Sequence, residues 1–304
     1  MTDRPRRARR VQLSTPGSSE KMIQKAAESK ADHVFLDLED AVAPSQKRAA
    51  RAKIVQGLKS LDWRGKTRCV RINDLTTEYA FEDIIEIVEG AGEHLDTIMM
   101  TKVLTPADVL FADKLLHQLE RKLKLKRRIG LEALIEEVEG MQNVDAIARS
   151  TPRLECLVFG MGDFSASMGV TNKNVGETDG YPGDIWHYAR FRLVMACRAA
   201  GIDPVDGPYA DFRNSQGYRT ECGRSMTLGC VGKWAIHPSQ IDIALEVYSP
   251  KPADVARARR LEKAYADAEA QGLGAINVDG VMVDVASIRI LRNTVLNKAD
   301  LYGM

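Results

Sequence analysis

Residues 129–167 read IGLEALIEEVEGMQNVDAIARSTPRLECLVFGMGDFSAS and contain two apolar runs. The runs are GLEALIE and CLVFGMGD, and each ends in a carboxylate, Glu136 in the first and Asp163 in the second. Residues 140–149, between them, fit one helix, so the stretch predicts a strand–helix–strand unit with an acid at each strand exit. In parallel α/β folds, catalytic groups lie at the exits of the strands.

Two carboxylates that converge at one edge of a sheet suit a hard divalent cation. Mg²⁺ takes one or two protein carboxylates and fills its other positions with water and substrate oxygens. The alternative is that Glu136 caps the following helix and that Asp163 is an ordinary turn residue. Spacing alone leaves both interpretations open.

Composition limits the class of protein. The chain has 304 residues, of which 44% are hydrophobic and 28% charged, which fits one large α/β barrel or two medium domains with a packed core. A net charge of +1 gives no argument for nucleic-acid binding. No apolar run approaches the roughly 18 residues of a membrane span, so no membrane association is expected.

The basic N-terminal segment RPRRARR is followed by no apolar segment, so it does not resemble a secretory signal. It fits a solvated tail, or alternatively a contact with a polyphosphate-bearing ligand. The cysteines are odd in number and form no C-x-x-C pair, which favours reduced thiols in a cytoplasmic protein. They are Cys69, Cys156, Cys197, Cys222 and Cys230.

Strand and helix patterns alternate about eight times before residue 248. Parallel strands with helical crossovers must be covered on both faces, so residues 1–248 are predicted to form a closed (β/α)8 TIM barrel. A doubly wound open sheet is the alternative, but no G-x-G-x-x-G or Walker loop supports it. Residues 249–304 predict a helix, a hairpin turned at Asp279-Gly280 and a final helix, an extension expected to serve as a lid and in oligomerisation.

Several predicted strands end in polar groups. The run HVFLDLED ends in Asp37, Glu39 and Asp40, RCVRIN delivers Arg71, and TIMMTK ends in Lys102. The first strand, VQLST, precedes a Pro-Gly-Ser turn whose backbone N–H groups are predicted to be exposed to a phosphate or carboxylate. Residues 169–183 are rich in Gly, Asn and Thr and predict a mobile, functional loop.

The segments VRIN, LIE, GMGDFSAS, DGP, GKWAIHPSQI and VDVASI occur in this order. With these segments the chain, from about residue 10 onward, resembles the malyl-CoA and β-methylmalyl-CoA lyases of the citrate lyase β-subunit-like, HpcH/HpaI-type aldolase superfamily. The resemblance implies a (β/α)8 barrel, Mg²⁺ (with Mn²⁺ as a substitute), coenzyme A thioester and glyoxylate as ligands, and a homo-oligomer, often a trimer or hexamer.

By motif position the resemblance implies roles for individual residues. Glu136 and Asp163 correspond to the magnesium ligands, Arg71 to an arginine near the reacting oxygens, and Asp284 to an acid–base aspartate on a C-terminal lid. Glu39 and Asp40 are expected to assist catalysis by orienting metal-bound water and Arg71. The positions implied for the thioester and its nucleotide arm are Ser14, Thr15, Lys25, Gly162, Ile236 and His237.

The chain departs from the family pattern at two positions. Ser19 stands where an arginine commonly follows the Pro-Gly-Ser turn, and Thr101 stands where a proline usually precedes the strand-end lysine. Both departures leave room for a different acyl group. The resemblance therefore implies a lyase that cleaves malyl-CoA or β-methylmalyl-CoA reversibly through an enolate. The alternatives are a malyl-CoA thioesterase, a citramalyl-CoA or citryl-CoA lyase-type paralogue, or a non-catalytic subunit.

Each residue also has a plainer interpretation. Arg71 fits an ordinary ion pair with Asp37 or Glu39, Asp284 fits a helix N-cap, and His237 fits a residue that positions backbone rather than a base. Lys102 could form a Schiff base with a carbonyl substrate, although enolate chemistry on a metal does not need one. Trp186 and Trp234 are either core residues or platforms for adenine.

Overall fold

Eight parallel strands close into a barrel within residues 4–170, 175 and 183–304, which the computed structural model describes. The strands follow one another around the barrel in chain order, and the last pairs with the first. They are β1 (Val11–Pro16), β2 (His33–Asp37), β3 (Thr67–Arg71), β4 (Thr97–Met100), β5 (Gly130–Ile135), β6 (Leu154–Phe159), β7 (Asp203–Asp206) and β8 (Gly232–Ala235). The predicted (β/α)8 barrel is confirmed, and the open sheet is wrong.

Helices surround the barrel. They are α1 (Glu20–Glu28), α2 (Lys47–Ser60), α3 (Ala80–Ala91), α4 (Pro106–Leu123), α5 (Val138–Gln142), α6 (Val144–Ala148), α7 (Met161–Met168), α8 (His187–Ala200), α9 (Ser215–Leu228) and α10 (Ile241–Tyr248). Local sequence sets several ends. Thr105 and Asp108 form a capping box at the start of α4, and Gly201, with φ 67°, ends α8 in the left-handed region.

Two predicted boundaries differ from the structure, and a third segment is largely not described. Residues 140–149 do not form one helix, because the helix is interrupted at Asn143. The Asn143 side chain donates to the Leu104 carbonyl at 2.9 Å. Strand β6 ends at Phe159, so Asp163 lies in the first turn of α7 rather than at a strand tip. The predicted loop 169–183 lies largely outside the described residues.

The barrel interior is filled by side chains that point inward from alternate positions of the strands. Eight buried apolar side chains pack there: Phe35, Cys69, Met99, Leu134, Cys156, Val158, Val205 and Trp234. The outward-facing strand residues pack against the helices in a separate and larger apolar cluster. The barrel is therefore a packed core, and only its ends remain for polar chemistry.

Charged groups close the N-terminal end of the barrel. Arg9, which is buried, contacts Asp203 at 2.8 Å, Glu155 at 2.9 Å and Glu132 at 3.3 Å. Glu132 also accepts a hydrogen bond from the Gln12 amide at 3.0 Å. One guanidinium thus pairs with two buried carboxylates, Glu132 and Glu155, and with the partly exposed Asp203.

A second compact unit contains residues 6–8 and 249–304. Its elements are α11 (Pro252–Glu269), β9 (Ala275–Val278), β10 (Val281–Asp284), α12 (Val285–Leu291), a π-helical segment (Arg292–Leu296) and α13 (Asn297–Leu301). The hairpin turns at Asp279 and Gly280, both with positive φ, as the Asp-Gly pair predicts. Leu261, Tyr265 and Val283 are in its small core. The roles of lid and oligomerisation element stay predictions.

None of the described helices is long and apolar enough to cross a membrane.

We expect the substitution Arg9→Met to lower the free energy of unfolding by about 3–5 kcal/mol, because it removes the guanidinium that pairs with the buried carboxylates of Glu132 and Glu155. Urea unfolding of the purified chain measures the change. The control is Arg64→Met, which removes a surface pair with Asp62 and should cost no more than about 1 kcal/mol. Equal losses in the two variants would contradict the assignment.

Candidate active site

Arg71 and Asp37 form a bidentate ion pair at the C-terminal end of the barrel. They are the last residues of β3 and β2 and lie opposite each other in the strand register. Arg71 Nε donates to Asp37 Oδ1 at 2.7 Å, and Nη2 donates to Asp37 Oδ2 at 2.6 Å. Arg71 therefore makes the ion pair that the plainer interpretation expected, and its remaining N–H groups are oriented by that pair.

Asp37 is saturated by its neighbours. Besides Arg71, it accepts backbone N–H groups of Glu39 at 2.9 Å and Ala41 at 3.1 Å. Its carboxylate thus folds the turn after β2 and fixes the arginine at the same time. The sequence analysis named Asp37 as one of three strand-end acids and as a possible ion-pair partner of Arg71, but not as the residue that folds this turn. Its place directly beside Arg71 on the neighbouring strand was the signal that identifies its role.

Glu39 joins two cationic side chains. Its Oε2 lies 3.0 Å from Arg71 Nη1, and its Oε1 accepts from Lys102 Nζ at 2.8 Å. Burial opposes ionisation of Glu39, but Arg71 and Lys102 outweigh it and hold the pKa of the carboxyl below its usual range. Asp40 is mostly exposed and 3.9 Å from Arg71, and partial desolvation together with Glu39 raises the pKa of Asp40 to about 6.

Lys47 anchors the turn that carries these acids. Its buried ammonium donates to the carbonyls of Leu38 at 2.9 Å and Glu39 at 2.8 Å, and to Asn73 Oδ1 at 2.6 Å. The sequence analysis did not identify this role of Lys47. Hydrophobic periodicity carries no information about a lysine that reaches back to carbonyl groups.

Glu136 follows the last residue of β5 and is buried. Its Oε1 accepts the backbone N–H of Lys102 at 2.9 Å. Gly160 approaches so closely that a Cβ there would lie 2.6 Å from Glu136 Oε2, so only glycine fits. Burial raises the pKa of Glu136 to about 8, with a further contribution from the Asp163 charge. The capping interpretation is wrong, since Glu137 stands at the N-cap of α5.

Asp163 is half-buried in the first turn of α7, next to Gly162. In the described part of the chain no group donates a hydrogen bond to its carboxylate. Its charge acts on Glu136 and on Lys102, whose pKa values it helps to raise. The carboxylates of Glu136 and Asp163 thus interact electrostatically although they come from different strand–helix connections.

The donor set fits a hard divalent cation. The cluster combines five carboxylates with only two cationic side chains, so a divalent ion would reduce an excess of negative charge. Its members are Asp37, Glu39, Asp40, Glu136 and Asp163, with Arg71 and Lys102. Glu136, Asp163 and the mostly exposed Asp40 have no cationic partner at hydrogen-bond distance among the described residues, and of these Glu136 and Asp163 are at least half-buried. Oxygen-only ligands favour Mg²⁺ or Mn²⁺ over Zn²⁺.

Lys102 adopts a left-handed backbone conformation, with φ 48°. This conformation is costly for a residue with a side chain, and here it aims the amide at Glu136. Burial favours the neutral amine, but Glu39, Glu136 and Asp163 together raise the pKa of Lys102 above its usual value. The amine is therefore protonated, which opposes the Schiff-base interpretation, since a Schiff base requires the neutral amine.

A cavity of about 730 Å³ opens between the C-terminal ends of β1 and β8 and helix α1. Its size is in the range of small-molecule sites. Five of the six residues implied for the thioester and its nucleotide arm line it: Ser14, Thr15, Lys25, Ile236 and His237. Gly162 is not among the lining residues and lies beside Asp163 instead.

The basic character of this cavity comes from α1. Lys21 and Lys25 make no ion pair with a described residue, whereas Lys30 pairs with Asp242 at 3.0 Å. The Gly17 N–H of the Pro-Gly-Ser turn donates to the Asp37 carbonyl at 2.8 Å, so this donor is not available to an anion. The predicted anion cradle therefore rests on the Ser18 N–H and stays a prediction.

His237 positions backbone, as the plainer interpretation expected. Its Nδ1 accepts the Ser239 N–H at 3.2 Å, and its ring stacks on Phe212 with centroids 4.5 Å apart. Neither Trp186 nor Trp234 lines the cavity. Trp186 packs against core phenylalanines outside the barrel, and Trp234 points into the barrel interior, so neither is an adenine platform in this cavity.

Asp284 lies in the second unit and caps α12. Its Oδ1 accepts the backbone N–H and the hydroxyl of Ser287, both at 2.8 Å. These hydrogen bonds hold the pKa of Asp284 below its usual value, so the carboxylate is ionised at neutral pH. The N-cap interpretation is thus what the structure shows, and an acid–base role stays a prediction.

Comparison with known proteins identifies the family. The profile of the HpcH/HpaI aldolase/citrate lyase family matches residues 10–238. The chain is 43% identical over 295 residues to an L-malyl-CoA/β-methylmalyl-CoA lyase of Rhodobacter capsulatus, covering 94% of this chain and 93% of the relative. The chain belongs to the HpcH/HpaI aldolase/citrate lyase family.

Other members of this family extend the comparison. A malyl-CoA/β-methylmalyl-CoA/citramalyl-CoA lyase of Chloroflexus aurantiacus is 33% identical over 302 residues, covering 93% of this chain and 86% of the relative. A similar solved structure is that of CitE from Mycobacterium tuberculosis, crystallised in complex with magnesium, acetoacetate and coenzyme A. Its sequence is 28% identical to this chain, and the match covers 95% of this chain and 97% of that chain with a TM-score of 0.74.

We expect no covalent adduct at Lys102 when the chain is incubated with glyoxylate and borohydride, because the ammonium is held protonated by Glu39. Peptide mapping by mass spectrometry measures modification at this position. Exposed lysines on α1 serve as internal controls for nonspecific reductive alkylation. Selective labelling of Lys102 with loss of activity would revive the Schiff-base interpretation.

Proposed function

We propose that this chain is a Mg²⁺-dependent lyase of coenzyme A thioesters, with Mn²⁺ as a substitute, that cleaves malyl-CoA or β-methylmalyl-CoA reversibly. The products are glyoxylate and acetyl-CoA or propionyl-CoA. The observation that carries the proposal is the carboxylate pair Glu136 and Asp163 in one strand-exit cluster with the oriented guanidinium of Arg71. The name of the relative at 43% identity supports the same reaction.

Cleavage breaks the bond between the hydroxyl-bearing carbon and the α-carbon of the thioester. The electron pair of that bond passes to the thioester carbonyl and forms an enolate, while the hydroxyl group loses its proton to solvent and its carbon becomes the aldehyde carbon. Mg²⁺ held by Glu136 and Asp163 would supply a Lewis acid that polarises the glyoxylate oxygens. Arg71 donates from its remaining N–H groups to the developing oxyanion, and one such donor is typically worth about 3–4 kcal/mol.

Glu39 and Asp40 assist from the turn after β2. Glu39 fixes Arg71 from the side opposite to Asp37 and connects it to Lys102. We assign to Glu39 and Asp40 the orientation of Arg71 and of water near the cation, because both carboxylates face the guanidinium.

Asp284 is the proposed acid–base group. In the condensation direction its ionised carboxylate removes a proton from the α-carbon of acetyl-CoA, and in the cleavage direction it returns that proton. The low pKa that the Ser287 hydrogen bonds give it favours the base form before substrate binds. The predicted lid role of residues 249–304, in the same or an adjacent subunit, would bring this group to the substrate as water is excluded.

The cavity between β1, β8 and α1 is the proposed site for the coenzyme A part of the thioester. Lys21 and Lys25 offer cationic groups for phosphates, and the apolar stems of Met22 and Ile241 line the same space. Ser14 and Thr15 lie at the barrel end of the cavity, where the thioester would meet the catalytic cluster. Gly162, beside Asp163, would let the acyl group approach the cation closely.

We also propose a cytoplasmic homo-oligomer, a trimer or hexamer. The five cysteines are buried free thiols, which suits a reducing compartment. The second unit exposes Leu273, Met282, Val285 and Ile290, and an oligomer would cover such apolar side chains. Light scattering of the purified chain measures the oligomeric mass, and a monomer would contradict this part of the proposal.

We expect the purified chain, with malyl-CoA and Mg²⁺, to form glyoxylate and acetyl-CoA. Mass spectrometry identifies the products, and a thiol assay measures free coenzyme A in the same reaction. Asp284→Ala should lower kcat by at least about 100-fold, since it removes the proton donor and acceptor. Asp267→Ala, at an exposed position on α11 in the same unit, is the matched control.

Each other product pattern contradicts a defined part of the proposal. Malate with free coenzyme A would make the protein a thioesterase. Turnover of citramalyl-CoA but not of malyl-CoA would contradict the proposed acyl specificity. The name of the Chloroflexus relative includes citramalyl-CoA among its substrates. Full activity of Asp284→Ala would remove this residue from the chemistry.

We expect Glu136→Gln and Asp163→Asn each to weaken Mn²⁺ binding by more than about 100-fold, because each removes a carboxylate ligand. Electron paramagnetic resonance of Mn²⁺ measures binding without any substrate. Asp62→Asn, a change at an exposed surface carboxylate, is the control. Thermal unfolding excludes loss of fold, since neutralising the buried Glu136 should not lower stability. Undiminished Mn²⁺ binding in both site variants would place the metal elsewhere.

A further inference from the structure

Trp234 lies directly against the guanidinium of Arg71. Its indole points into the barrel interior from β8 and is 7% exposed. Arg71 Cζ is 5.1 Å from the centroid of the Trp234 ring and 5.8 Å from that of Phe35. Both distances are within the range of cation–π contacts.

Phe35 and Trp234 support each other beneath the arginine. Their rings meet edge to face, with centroids 4.8 Å apart and an interplanar angle of 78°. They come from β2 and β8, the two strands that flank β1 in the barrel. We call this pair the aromatic floor. It fills the interior below the catalytic cluster, so the guanidinium lies on a packed surface rather than over water.

The contacts of Arg71 divide into two kinds. Asp37 and Glu39 approach the edges of the guanidinium through its N–H groups. Such hydrogen bonds fix the position of the guanidinium within its own plane, but they resist a tilt of the guanidinium out of that plane less well. The two rings of the aromatic floor lie 5.1 Å and 5.8 Å from Cζ and oppose that tilt, because the cation–π attraction weakens when the guanidinium moves away from them.

The indole N–H of Trp234 does not explain why a tryptophan is there. Buried tryptophans usually donate this N–H, but Trp234 Nε1 has no acceptor within the described residues. Trp186 Nε1 has no described acceptor either, so the role of Trp234 rests on its ring contact with Arg71. In Trp63, by contrast, Nε1 donates to the Gly57 carbonyl at 3.2 Å.

We propose that Trp234, backed by Phe35, is a positioning residue that fixes the guanidinium plane of Arg71, so that the N–H groups not held by Asp37 and Glu39 face the reacting oxygens. The contact between the ring and the guanidinium stands on the structure alone. Its effect on catalysis rests on the proposed lyase function.

The first test does not involve catalysis. The chain contains three tryptophans, and labelling with 5-fluorotryptophan gives one ¹⁹F resonance for each. Trp234→Phe assigns the resonance of Trp234. Arg71→Lys keeps a positive charge but removes the planar fork, and it should shift the Trp234 resonance while leaving that of Trp63 unchanged. A Trp234 resonance that moves no more than that of Trp63 would overturn the proposed contact.

The second test separates positioning from binding. Trp234→Leu removes the ring face and should lower kcat for malyl-CoA roughly 30-fold. Its KM should change less than about threefold, because Trp234 does not line the coenzyme A cavity. Trp234→Phe keeps a ring face and should recover kcat to within about fivefold of the parent chain. Trp63→Leu is the matched control for loss of a buried tryptophan and should retain the parent kcat.

Two outcomes would overturn the catalytic part of the inference: an unchanged kcat in Trp234→Leu, or equal losses in Trp234→Leu and Trp234→Phe. If Trp234→Leu does not fold, the comparison of Trp234→Phe with the parent and the ¹⁹F shift of Arg71→Lys still decide it. If the parent chain turns over no malyl-CoA, the proposed function fails, and the ¹⁹F result alone continues to test the contact.

Discussion

The catalytic end of the barrel depends on the ion pair between Asp37 and Arg71. Two neighbouring strands end in opposite charges at the same register, and the bidentate geometry fixes both side chains. Asp37 also folds the turn after β2, which brings Glu39 to the arginine. From there the contacts continue through Lys102 to Glu136, so the exits of β2, β3, β4 and β5 form one connected polar network. The ion pair is first a structural contact that orients Arg71, and any catalytic role of Arg71 depends on that orientation.

The sequence predicted the barrel because alternating strand and helix patterns are local properties. It also predicted which strands end in acids, since a buried run followed by a carboxylate is visible without coordinates. It did not predict how those acids are shared. The position of Lys102 in the left-handed region and the reach of Lys47 to two carbonyls depend on distances between separate strands and helices. The break at Asn143 has the same origin, because its side chain binds a carbonyl 39 residues away in the chain.

Resemblance and geometry contributed different parts of the site. Spacing alone left Glu136 between a metal ligand and a helix cap, and the structure excluded the cap. The resemblance named Asp284 and the positions around the cavity, which no pattern of charge or hydrophobicity had indicated. The Gly17 N–H of the predicted anion cradle is not available, because the Asp37 carbonyl of the neighbouring strand accepts it. Sequence patterns identify candidate donors, whereas the pairing of strands decides which donors remain available.

The hydrogen bond from the Lys102 backbone to Glu136 has a consequence for the evolution of the site. Every amino acid except proline carries the amide that holds this carboxylate, so most mutations at position 102 leave its donor in place. The ammonium on the same residue, which contacts Glu39, is lost in nearly all of them. One position therefore combines a backbone hydrogen bond that most substitutions preserve with a side chain that selection can vary. Descendants of this barrel can change the charge beside Arg71 in a single step while the neighbouring carboxylate keeps its place.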